Sequence, residues 1–188
     1  IVALLARRHA LAGLLLGTAI AVKLYPLVLV PIAGVWAVAH GGRQALLRLL
    51  IPSLALPALA YLPFVIASPG GVGWSLGHQA SRPLQIESLG ASLLLGAHHV
   101  LGLDLSWSSG HGSQNLDGAL PDAVATASSL LSIAVIAAIW WSHARGPTGP
   151  DQLVRASAAA VLALVALGQA PSPQFAVWLL LPVPLAGA

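Results

Sequence analysis

From Leu49 to Ala67, and again from Ala123 to Ser142, the chain carries no charged residue and is built mainly from apolar side chains. About 20 such residues let a helix cross the ~30 Å hydrocarbon core of a bilayer. Apolar residues make up 57% of the sequence and charged ones 7%, far from the balance of a soluble domain. The expected fold is therefore all-α: a polytopic transmembrane helical bundle, integral to the cell membrane, forming one domain over residues 1–188. The chain contains no methionine, opens in the apolar run Ile1–Ala6 and closes in another, Val183–Ala188. No signal-peptide pattern is visible. It reads as an internal piece of a longer protein whose N-terminal and C-terminal parts are missing.

Charge placement orients these segments. Arg7 and Arg8, Arg43 and Arg48, and Arg145 and Arg155 sit in three short connections. Membrane proteins keep such connections in the cytoplasm. The polar region 68–122 holds only Arg82 against Glu87, Asp104, Asp117 and Asp122, and is expected as an extended outer loop. Parity then requires that Leu89–Leu103 not cross, so an interfacial or re-entrant helix is expected there. Ala10–Ala39 fits either one long helix or a short helical hairpin with Val22–Pro26 at its outer tip. Pro26 disfavours helix at Tyr25, and the tip is where Lys23 costs least, so the hairpin is the better fit. Leu153–Gln169, a Pro-Ser-Pro-Gln tip and Phe175–Leu185 repeat that geometry. Three polar islands thereby share the outer face.

Each island has a chemical and a plain structural interpretation. The Lys23 ammonium, beside Tyr25, can hold a phosphate as a compact point charge, or it can snorkel and anchor a helix end. In the second island, His78, Arg82, Gln85 and Glu87 offer charge and hydrogen bonds to a sugar or phosphate; Arg82 can clamp phosphate bidentately. The same residues would also suit an exposed loop with a weak Arg82–Glu87 pair. In the third, Ser172 and Gln174 can donate to hydroxyls and Trp178 can stack or anchor at the interface, or the three can form a tight interhelical turn.

Other chemistries find no support. The dispersed arginines suit orientation rather than nucleic acid, so no nucleic-acid partner is expected. Without cysteine there is no disulfide or thiolate metal site. The pair His98 and His99 diverges by about 100° on a helix, and His111 lies in a Gly/Ser-rich stretch expected as a flexible loop. No spacing matches a zinc motif, and Gly70–Gly73 lacks the Lys-Ser/Thr of a nucleotide loop. No metal and no cofactor are expected, and nothing in the sequence supports a divalent cation.

Three segments taken in order, Gly13-Leu-Leu-Leu-Gly-Thr-Ala-Ile-Ala-Val-Lys23-Leu-Tyr-Pro26, Arg82-Pro-Leu-Gln-Ile-Glu-Ser88 and Ser172-Pro-Gln-Phe-Ala-Val-Trp178-Leu-Leu-Leu-Pro182, resemble the bacterial glycosyltransferase family 87. The resemblance spans nearly the whole chain. It implies a GT-C-like membrane enzyme that transfers a sugar, often mannose, from a polyprenyl-phosphate donor to a glycolipid or glycan acceptor at the extracytoplasmic face, with inversion. It further implies phosphate contacts from Lys23 and Arg82, and sugar or groove contacts from Tyr25, His78, Gln85, Glu87, Ser172, Gln174 and Trp178. The catalytic base is expected in the missing N-terminal region and is assigned to no residue here. Two other classes stay open: a secondary transporter or flippase subunit, and a non-catalytic scaffold that binds polyprenyl phosphate. Transporters usually carry an acid or paired charge near the midplane, whereas every acid here falls in an expected loop.

Overall fold

The computed structural model describes residues 1–171. The chain is mostly helical: α1 (Val2–Leu5), α2 (His9–Val22), a 3-10 turn (Tyr25–Leu29), α3 (Val30–Ala67), α4 (Pro69–Ala80), α5 (Leu89–Leu101), α6 (Ala119–Arg145) and α7 (Pro150–Ala166), with short strands β1 (Leu84–Gln85), β2 (Ser106–Gly110) and β3 (Ser113–Asp117) between them.

The expected break before Pro26 is present, and it makes a hairpin. Helix α2 stops where Lys23 turns extended (φ −150°, ψ 134°), and the 3-10 turn begun at Tyr25 reverses the chain into α3. Its shortened hydrogen-bond pattern leaves the Val28 carbonyl facing α6, where the Trp140 indole N–H meets it at 2.9 Å. The second reversal lies inside α3, at Gly42 (φ 62°, ψ −159°). Only glycine visits that region without strain. Gly34 and Leu46 consequently face each other across the bend, although twelve residues of straight helix would hold them about 18 Å apart. Segments 30–41 and 43–67 are thus antiparallel arms. The 14 residues of α2 rise about 21 Å, short for an independent crossing.

Close approach explains how so short a helix is held. Gly13 and Gly17 stand one turn apart on α2, and a Cβ on either would lie 2.3 Å from the carbonyl oxygen of Leu49 or of Pro52. The two backbones meet along a G-x-x-x-G face, the small-residue packing of membrane helices. Ser53, fully buried, donates its hydroxyl to Leu49 O at 2.8 Å and reaches Gly13 O at 3.3 Å. An apolar cluster including Ile32, Trp36, Leu49, Ile136 and Leu153 joins this three-helix unit to α6 and α7.

Among the described residues, two helical stretches are long and apolar enough to cross a membrane, Tyr25–Ala67 (bent at Gly42) and Ala119–Arg145. Their apolar residues face outward: Ile51, Leu59, Phe64 and Ile66 on α3, and Leu130, Ile133 and Trp141 on α6, are all more than half exposed. A soluble core helix would bury them.

The region 68–122, expected as an extended loop, is folded. Ser68 caps α4 by accepting from Gly71 N–H, Ser88 caps α5 by accepting from Ala91 N–H, and left-handed Gly102 ends α5, as helix-end chemistry favours. Leu89–Leu103 is thus helical through Leu101, in agreement with its apolar pattern. The Gly/Ser-rich stretch around His111, expected as a flexible loop, is an antiparallel hairpin in a sheet of order β1-β3-β2. Its reversal residues His111 (φ 56°) and Gly112 (φ 72°) are both left-handed, as a two-residue hairpin turn requires. Buried Asn115 braces the turn, donating to the carbonyls of Gly110 and Ser113. Leu84 and Leu116, with no exposed surface, join Ala91, Leu94 and Ala125 in a second core. Weak strand formers pair here because turn geometry and this burial outweigh propensity.

Candidate functional site

Where the tip of the α2–α3 hairpin meets the folded 68–122 region, the protein encloses an open cleft of about 1210 Å³. Lys23 and Tyr25 enter it from the hairpin tip, Arg82 and Gln85 from the segment after α4, and Gly112 from the β2–β3 turn. One wall is the upper part of α3, including Phe64 and Val65; the facing wall is α4, through Val72, Ser75, Leu76 and Gln79. The first two polar islands of the sequence therefore share one cavity. Two cations line it and, among the described residues, no carboxylate does. Its apolar walls stay accessible: Phe64 is 64% exposed and Leu76 52%. A cleft lined by two cations and by apolar walls suits an amphiphilic anion, a phosphate attached to a hydrocarbon chain.

Local geometry explains how the polar residues are held. The Arg82 guanidinium donates to the His111 carbonyl at 2.9 Å. Gln85 is buried, and its position in β1 pairs it with Asn115 of β3. The strongest tie is one the sequence did not single out. The Gln169 side-chain amide donates to Arg82 O and accepts from the Ser129 hydroxyl, both at 2.9 Å, while Gln169 O accepts from Gln85 N–H at 2.9 Å. A single residue, three positions past the end of α7, thus fastens the Arg82–Gln85 segment to α6 and to the end of α7. An amide closing the uncharged run after Arg155 was the available signal, because a polar group there needs a partner.

Other candidates stand elsewhere. His78 is not among the residues lining the cleft; its ring stacks between Trp74 and His111. Glu87 is exposed and outside the lining, and Arg82 is engaged with the hairpin rather than with it. His98 bonds the Leu103 carbonyl through Nδ1. Ser172, Gln174 and Trp178 lie outside the described residues. Among the described residues no cluster of three or more His, Cys, Asp or Glu side chains could hold a metal ion.

The chain matches no family model, no curated protein and no solved structure. The site's chemistry rests on its own geometry.

Removing the Gln169 side chain tests that geometry. Gln169→Leu strands the half-buried Arg82 carbonyl and Ser129 hydroxyl, and because water reaches them in part each costs about 1 kcal/mol, the low end for an unpaired buried group. The thermal midpoint in detergent should fall by about 3–8 °C. Adding Ser129→Ala should cost little more, because the two changes share one interaction. Full additivity would show that the network is not coupled.

Proposed function

We propose that this protein is an integral membrane glycosyltransferase of GT-C type, multi-pass in the cell membrane, working on a polyprenyl-phosphate sugar at the extracytoplasmic face. The observation that carries the reading is the cleft, where Lys23 and Arg82 line one cavity beside the apolar walls of α3 and α4, with no carboxylate among the described residues that line it. The outward apolar surfaces of α3 and α6 support the membrane setting, and the resemblance to glycosyltransferase family 87 supports the sugar, with mannose as the first candidate.

In such a transfer a base takes the proton of the acceptor hydroxyl, and the oxygen attacks the anomeric carbon. The bond from that carbon to the phosphate oxygen breaks, and polyprenyl phosphate leaves with the electron pair. Inversion follows from attack on the opposite face. Lys23 and Arg82 serve the leaving group, because cations set in a partly apolar cleft stabilise charge as it develops. Tyr25 and Gln85 line the same cleft and are the candidates to contact sugar or phosphate. Glycolipid or glycan acceptors and membrane lipids are the expected partners.

The test is transfer of labelled mannose from polyprenyl-phosphate mannose, in membranes expressing the full-length natural protein, to endogenous lipid acceptors. Labelled product from wild type and little from Arg82→Ala is the expected result. Absence of product with mannose and with a panel of other polyprenyl-phosphate sugars, from folded protein, would remove the enzyme reading. Donor binding without transfer would instead identify a scaffold.

A further inference from the structure

Three rings in series join α4 to the β2–β3 turn. Trp74 and His78 on α4 stack with centroids 4.7 Å apart and planes 13° from parallel, and His78 and His111 stack at 4.1 Å and 18°. His111 occupies the β2–β3 turn, and its neighbour Gly112 lines the cleft. Its carbonyl sits outside the ladder closed by the Gly110–Ser113 pair, and is the group to which Arg82 donates. Arginine is long and loses much rotamer freedom when one geometry is demanded of it. An acceptor held in place can supply that geometry before any ligand arrives, which favours binding.

We infer that the Trp74–His78–His111 stack is a clasp that locks the tip of the β2–β3 hairpin onto α4 and thereby presets Arg82 at the cleft, making His78 and His111 positioning residues for the anion site. The inference rests on the reading of Arg82 as a phosphate contact. Stacking between rings, not hydrogen bonding by the imidazoles, supplies the hold. An aromatic ring of another kind at position 78 should therefore serve as well, while the base of the hairpin stays anchored by Leu116.

Three variants of the full-length protein in detergent micelles separate the contributions. His78→Ala removes the middle ring, and His78→Phe keeps one. His111→Asn removes the last ring but keeps a residue suited to the left-handed turn, so it isolates the stack from the turn. Two readouts are taken: amide hydrogen exchange over residues 108–114, and the dissociation constant for farnesyl phosphate as the probe. His78→Ala and His111→Asn should each speed exchange and weaken farnesyl phosphate by about three- to tenfold, the range of one aromatic stack. His78→Phe should restore both. Unchanged exchange at the tip in His78→Ala, or faster exchange with unaltered affinity, would overturn the inference. If wild type fails to bind farnesyl phosphate, the lipid-phosphate reading falls by itself. Exchange then decides the clasp, faster exchange in His78→Ala supporting it and unchanged exchange ending it.

Discussion

Valine at both Gly13 and Gly17 is expected to pry α2 from α3 and leave little folded protein. A Cβ at either site would sit 2.3 Å from a backbone carbonyl oxygen of α3, and backbone within a helix cannot rotate away as a side-chain tip can. Overpacking of this kind costs about 1–3 kcal/mol per site, and two sites on one face of a 14-residue helix act on the same contact. The thermal midpoint in detergent should fall by about 5–15 °C, if folded material is recovered at all. Ser53→Ala removes only a hydroxyl that bonds Leu49 O and Gly13 O, and should cost about 0.6 kcal/mol, the mean for interhelical bonds in a membrane protein. Because Lys23 follows directly on α2, the valine pair should also remove the ammonium from the cleft and lower donor affinity. A midpoint near wild type for the double variant would show that α2 does not pack on α3 as described.

The second large effect falls on the donor and spares folding. Lys23 is exposed at the hairpin tip, where substitutions usually change stability by no more than about 0.5 kcal/mol. A hydrogen bond from a charged donor is worth about 1.5–3 kcal/mol, so Lys23→Ala and Arg82→Ala should each lower the rate at limiting donor by about ten- to hundredfold. Arg82→Lys should recover only part of this, because an ammonium lacks the planar fork that can hold the His111 carbonyl and a phosphate together. Initial rates with labelled polyprenyl-phosphate mannose, set beside melting curves, provide the comparison. Equal rates for Lys23→Ala and wild type at limiting donor would take Lys23 out of the site.

Much of the helical framework was legible because its causes are local. Uncharged apolar runs mark α6 and the second arm of α3, and Pro26 marks the break before the 3-10 turn; Arg7, Arg8, Arg43 and Arg145 stand at or beside the reversals, whereas Arg48 and Arg155, expected in connections, fall inside α3 and α7. The sheet was not legible. Ser106–Gly110 and Ser113–Asp117 are poor in β-branched residues, and they pair through a left-handed turn and the burial of Leu116. Nor could a sequence link Gln169 to Arg82 or His78 to His111, because each contact needs separate elements already in place.

The sequence by itself determined the long apolar helical segments, the break before Pro26 and which few side chains carry charge, all properties of neighbours along the chain. Only the tertiary structure decided which of those polar groups meet. Lys23, Arg82 and Gly112 line one cleft because Gly42 folds α3 back on itself, two glycines admit α2 against it, and Gln169 fastens the intervening segment. Those are packing events between distant parts of the chain, and no local pattern encodes them.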